Sequence, residues 1–148
     1  MLLQLTPKDI SREIDIILAV VEDGLPEYYD RENPHWKWHF FTKTQLDNIQ
    51  VWKMFDGEGD DVKVYGYVVT RYLIDDIFME SMLLLYGFNL FEKPSAEFLV
   101  DNWHKLEEWA KARGINRIEA ISSSPLMERI ATAFNFVGDM HFVKSLRR

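Results

Sequence analysis

Ile77-Phe78-Met79-Glu80-Ser81-Met82-Leu83-Leu84-Leu85-Tyr86-Gly87-Phe88-Asn89-Leu90 runs directly into Phe91-Glu92-Lys93-Pro94-Ser95-Ala96-Glu97-Phe98. The first of these stretches shows little polar alternation, which predicts a central strand over residues 77–90, covered on both faces. Pro94-Ser95 opens a helix. In it Leu99, Trp103, Leu106 and Ala110 make one apolar stripe, and Glu107 and Lys111 form an exposed i,i+4 pair. Gly114 ends the helix, and residues 117–121 read as a further strand.

Upstream, residues 2–5 are a short strand. Thr6-Pro7-Lys8-Asp9 supplies an N-cap, a proline at the first helical position and an acid in the first turn. One helix follows, with Ile10, Ile14, Ile17, Leu18 and Val21 on its apolar stripe, Gly24 at its C′ position and Pro26 blocking continuation. Asn33-Pro34 starts a second helix with Trp36, Phe40 and Phe41 on its buried side, and Thr44-Gln45-Leu46-Asp47 resembles another cap and turn. Residues 51–55 and 62–74, rich in β-branched and aromatic side chains, are strands joined by a hairpin loop at 56–61. Asp75-Asp76 marks the next turn. Downstream, Ser124-Pro125 caps a helix to about residue 134, and residues 137–146 form a last strand or hairpin. The order β-α-α-β-β-β-α-β-α-β-(β) describes a single mixed α/β (α+β) domain over residues 1–148, a central sheet flanked by helices.

Composition narrows the chemistry. The 148 residues carry 17 basic and 24 acidic side chains, a net charge of −7, which disfavours nucleic acid and anionic lipid as partners. Zero cysteines exclude disulfides, thiolate catalysis, iron–sulfur clusters and cysteine-type zinc sites. The acid excess lies upstream: residues 1–74 hold 8 basic and 13 acidic side chains, residues 75–148 hold 9 and 11. The opening Met1-Leu2-Leu3-Gln4-Leu5-Thr6-Pro7 has no basic n-region or small-residue cleavage site, and no apolar run approaches the roughly 20 residues of a membrane span. A soluble intracellular protein is expected.

The element order and several stretches resemble the GNAT acyltransferase family. Thr6-Pro7-Lys8-Asp9-Ile10 resembles the entry to its first helix, and residues 57–69 its turn followed by a Val-Gly strand, with Gly66 as that glycine. The last third is most similar: Leu106-Glu107-Glu108-Trp109-Ala110-Lys111-Ala112-Arg113-Gly114-Ile115, Arg117-Ile118-Glu119-Ala120, Ala133-Phe134-Asn135-Phe136-Val137-Gly138 and Val143-Lys144-Ser145-Leu146. The family's terminal Gly-Phe is Asn135-Phe136 here, a mild change because Asn also tolerates a left-handed helix end. The likeness is nearest to small GNAT-like proteins of tailed bacteriophages. It implies acetyl-CoA as cofactor, an amine on a small molecule or protein as acceptor, a host-cytoplasmic location, and a virion or host protein as a further partner. Two departures stand out. The glycine-rich phosphate loop is replaced by the Phe91–Phe98 junction, where Pro94 removes a donor and Glu92 and Glu97 add repulsion. Ala131 stands where many relatives carry the tyrosine that protonates the leaving thiolate.

The resemblance implies that Glu80, inside the central strand, is the general base, with a raised pKa if buried; the alternative is a solvated residue near the strand's exposed beginning. Tyr86 and Gly87 lie where the strands part to admit pantetheine, and Lys93, Ser95 and the amide of Ala96 would meet the phosphates. Asp75-Asp76 reads as a turn pair or as an attractor for a cationic amine. His35 and His39 have i,i+4 spacing without a third ligand, so no metal site is expected. The acids of residues 56–61 lack the glycine and glutamate positions of a calcium loop and read as a solvated hairpin tip. Ser122-Ser123-Ser124 has no nucleophile elbow, and Lys144, Arg147 and Arg148 make a basic tail too small for nucleic acid. The rival expectation is a scaffold of this family without turnover, acting in phage assembly or on a host protein.

Overall fold

The computed structural model describes every residue except 28, 47–48, 122–124, 139–141 and 147–148. Five strands form one sheet in sequence order: β1 (Leu2–Gln4), β2 (Ile49–Asp56), β3 (Lys63–Ile74), β4 (Ser81–Leu90) and β5 (Arg117–Ala120). The first three junctions are antiparallel, and β4 pairs parallel to β5 through a crossover. That crossover is α4 (Ala96–Ala112); the other helices are α1 (Pro7–Arg12), α2 (Ile14–Gly24), α3 (Trp36–Gln45) and α5 (Pro125–Ala133). A mixed sheet flanked by helices is the expected fold class.

Strand alternation builds two cores. Val51, Tyr67 and Val69 face one way and pack with Ile10, Ile17, Val20, Val21 and Phe40 from α1, α2 and α3. Trp52, Val68 and Leu83 face the other way and pack with Leu106 and Ala110 of α4. Successive residues of β2 and β3 thus feed opposite cores, as the two-residue period requires. The expected stripe of α4 also carries a buried polar residue, Asn102, whose Nδ2 donates to the Phe98 carbonyl at 2.7 Å. The Glu107–Lys111 pair forms at 3.9 Å, and Gly114 ends the helix at φ +69°.

Several boundaries differ from the sequence reading. The Thr6 capping box forms as expected. The helix behind it breaks at Glu13, whose carboxylate accepts from Lys53 Nζ at 2.8 Å and from the Tyr67 hydroxyl. Gly24 is the last residue of α2, not a left-handed C′ residue. The Arg31 guanidinium makes a glycine cap unnecessary: it donates to the carbonyls of Glu22 at 3.2 Å, Pro26 at 3.4 Å and Leu25. Thr44 lies within the last turn of α3, its hydroxyl donating to the Phe41 carbonyl at 2.6 Å, and Asp47 lies outside the described residues.

The central strand begins at Ser81, four residues later than expected. Asp75 Oδ1 accepts from the amides of Ile77 at 2.9 Å and Phe78 at 2.7 Å, and Met79 sits at φ +56°. This side-chain-organised turn outcompetes strand pairing despite the apolar sequence. Ile77, Phe78 and Met79 are therefore exposed, at 80%, 78% and 79%. At the other end of the chain, the described residues after α5 form no strand. Asn135 adopts the anticipated left-handed conformation, φ +63°. Phe134 and Phe136 then pack on Trp103 of α4, with ring centroids 5.1 and 5.4 Å away, which draws the chain onto the helix instead of along β5. The Ser124 cap falls outside the described residues.

Candidate active site

Strands β4 and β5 pair only over Met82–Leu85 and Arg117–Ala120. Beyond Leu85 the two part. At that point β4 carries a bulge: Val69 faces Gly87 and Thr70 faces Leu85, leaving Tyr86 as the extra residue. A narrow cleft opens there, lined by Pro26, Tyr29, Leu84, Leu85, Tyr86 and Ile121. Its volume of about 10 Å³ is room for a single water, so a larger ligand enters only if Pro26 and Tyr29 draw back. The Tyr86 ring packs on the α1–α3 core, and its hydroxyl accepts from Arg71 Nη1 at 3.2 Å.

A Cβ at Gly87 would sit 3.5 Å from Val21 Cα and 3.6 Å from the Val20 carbonyl oxygen, ordinary van der Waals contact, so α2 packs on this position without requiring a glycine there. Beneath the bulge runs a buried polar chain: Trp52 Nε1 donates to Thr70 Oγ1, which donates to Gln50 Oε1, both at 3.0 Å.

The far end of β4 leads to the α4 N-terminus. Ser95 is its N-cap, the hydroxyl accepting from the Phe98 amide at 3.2 Å. The amides of Ala96 and Glu97 have no partner among the described residues and point out of the helix start, the arrangement that receives anions. Lys93 is exposed beside them, and Pro94 is buried. Glu92 does not face this point unopposed: Lys63 Nζ donates to it at 2.8 Å, and that bond raises the Lys63 pKa. The residues present therefore fit a phosphate through one cation and two amides, without the glycines of a phosphate loop.

Glu80 is corrected in both place and environment. It precedes β4 on the exposed turn, its side chain 55% exposed and ion-paired with Arg117. The bulge at Tyr86 lies six positions further on, about 20 Å along an extended strand. The burial expected to make it a base is missing. Asp75 is likewise a turn former, its carboxyl held below the ordinary value by the amides of Phe78 and Ile77. His35 and His39 are exposed on and beside α3.

Three features of this region escape the sequence reading. Pro26 and Tyr29 wall the cleft from a loop whose fold depends on Arg31. Arg71 meets Tyr86; a cation at the end of the apolar run Val68-Val69-Thr70 was the available signal. A larger hollow of about 340 Å³ lies by the α2 end, lined by Ala19, Glu22, Asp23 and Arg31. Residues 22–32 around it hold Glu22, Asp23, Glu27, Asp30 and Glu32 against one cation, Arg31, which is spent on backbone carbonyls. Away from the cleft, burial and then the Glu13 carboxylate push the Tyr67 phenol far above its usual pKa.

No family model and no curated protein matches the sequence. Solved structures do share the fold. A predicted acetyltransferase from Clostridium acetobutylicum, solved with acetyl-CoA, superposes with a TM-score of 0.69 at 13% identity, over 98% of this chain and 94% of that one. An aminoglycoside acetyltransferase from an uncultured soil metagenomic sample, in complex with sisomicin, gives 0.67 at 13% identity, over 99% and 96%. A ribosomal-protein-alanine N-acetyltransferase from Brucella melitensis gives 0.64 at 10% identity, over 100% and 99%. The chain thus has the GNAT acetyltransferase fold along its whole length.

Proposed function

We propose that this chain is an N-acetyltransferase that moves an acetyl group from acetyl-CoA to an amine. The observation that carries the reading is the parting of β4 from β5 at the Tyr86 bulge, with the open α4 N-terminus at the end of the same strand. The thioester supplies an activated acetyl group; the chain's residues hold and orient it. Tyr86 and the neighbouring backbone at Gly87 border the pantetheine arm. Lys93, the Ser95 region and the Ala96 amide meet the phosphates, where a cation and helix-start amides favour negative charge. The neighbours solved with acetyl-CoA and with an aminoglycoside support the pairing of a thioester donor with a cationic amine acceptor. Glu22, Asp23, Glu27, Asp30 and Glu32 belong to the segment that also supplies Pro26 and Tyr29 to the cleft, and would give the acceptor side a negative field. Glu80 is left out of this scheme, because its turn lies at the opposite end of β4.

Calorimetric titration with acetyl-CoA tests the reading. Saturable heat is expected, with binding weakened about tenfold in Lys93→Glu. Because Lys93 is exposed, the melting temperature of that variant stays at the wild-type value. A heat-silent titration at millimolar acetyl-CoA sinks the proposal.

One observation favours a second reading. The cleft of about 10 Å³ suits a scaffold that has closed over its cofactor site. Such a chain would act by binding a host or virion protein, as the likeness to phage proteins implies. A silent titration is the outcome this reading expects.

A further inference from the structure

We propose that the exposed face of α3 pairs with the same face of a second copy of this chain about a two-fold axis. On a chain of net charge −7, residues 33–46 hold Lys37 and Lys43 and no carboxylate. Residues 22–32, just upstream, hold Glu22, Asp23, Glu27, Asp30 and Glu32 against Arg31. The fold ties the two segments together: Lys37 Nζ lies 3.7 Å from Glu22 Oε2, and Trp36 Nε1 donates to the Arg31 carbonyl at 3.2 Å. Opposite charges therefore adjoin on one side of the molecule.

Between them α3 presents an aromatic face. Phe40 and Thr44 are its buried residues. Trp38 shares another side of the helix with Phe41 and Thr42, three and four positions on. Trp38 is 72% exposed, and its ring centroid lies 6.1 Å from that of Phe41. The Thr42 hydroxyl donates to the Trp38 carbonyl at 3.0 Å, which satisfies the polar group on this face. Adjacent aromatic rings rimmed by charge mark an interaction surface, with tryptophan the most common anchor at its centre.

A two-fold axis beside Trp38 lays the two helices antiparallel. Each Trp38 then meets its counterpart. Lys43, five positions on, comes opposite residue 33 of the other copy, next to Glu32. Each copy gives one cation and takes one carboxylate, the reciprocity of an isologous interface. An anionic lipid surface fits less well, because it would meet the acids of residues 22–32 together with the lysines. A second copy answers both signs.

Sedimentation equilibrium of the full chain, from about 1 to about 100 µM, tests the pairing. A monomer–dimer equilibrium is expected, with a dissociation constant of about 10 µM for so small a contact. Trp38→Ser should raise that constant at least about tenfold. Lys43→Glu and Glu32→Lys should each be monomeric alone, because each reversed charge meets its like. An equimolar mixture of the two should dimerise again, because every charge then meets its opposite, and that rescue rules out misfolding as the cause of the losses. A wild type that stays monomeric at about 100 µM overturns the proposal. So does a dimer indifferent to Trp38→Ser, or a mixture that stays monomeric. A dimer lost in Phe78→Ser instead moves the contact to the β3–β4 turn and overturns it as well. Cosedimentation of a monomeric wild type with phosphatidylserine–phosphatidylcholine vesicles, abolished by Trp38→Ser, replaces the second copy with a membrane surface. No acetyl-CoA enters these measurements, so their outcome is independent of the acetyltransferase reading.

Discussion

Asp75 shows how one carboxylate sets the shape of a hairpin. Its oxygen holds the Ile77 and Phe78 amides, its own amide donates to the Glu80 carbonyl at 2.8 Å, and the Met79 amide returns to its carbonyl at 2.9 Å. The hydrogen bonds from the Phe78 and Ile77 amides hold its pKa below the ordinary aspartate value. A carboxyl with a lowered folded pKa contributes stability above its unfolded pKa, and that contribution disappears as pH falls through the folded value. Urea midpoints below about pH 5 should therefore drop more steeply for wild type than for Asp75→Asn. Parallel acid limbs for the two proteins would contradict this account.

Among the elements, β3 and β4 are the pair on which the site depends. Gly66 faces Leu90 across them, and a Cβ at Gly66 would lie 1.5 Å from the Asn89 carbonyl oxygen. No rotamer relieves a clash between Cβ and backbone. Gly66→Ala is expected to cost about 3 kcal/mol in chemical denaturation and to disturb the strand that carries Tyr86. A loss below about 1 kcal/mol would mean that the strands shift apart at little cost. Most of this layer was legible from period and punctuation. Val51 and Val69 against Trp52 and Val68 announced strands, and Gly114 announced a helix end. Asp75 was legible as a turn residue, but not the extent of its turn, which takes the place of the first four residues of a good strand sequence. Glu13 and Arg31 were not legible, because each acts through a contact that only the folded chain supplies. The same holds for the site. Tyr86 and Lys93 stood out by position, whereas Arg71, Pro26 and Tyr29 come together only after the α2–α3 loop folds back over β4.

At the scale of the molecule, a single sheet separates two cores that meet different helices. Among the described residues, no helix is long and apolar enough to cross a membrane. The cleft lies along the boundary where the sheet ceases to be continuous, and residues from both halves of the chain line it. Both halves of the chain are net acidic, the first more than the second.

The projecting Ile77-Phe78-Met79 turn has a consequence for how the protein behaves in crowded solution. Three adjacent bare apolar side chains are a sticky point, and Asp75, Asp76 and Glu80 stand around them as gatekeepers. Their charge would oppose the association of copies through this turn. Asp76→Asn with Glu80→Gln should thus lower the concentration at which light scattering rises, and Phe78→Ser added to that pair should restore it. This turn stands at one end of the strand whose other half borders the cleft.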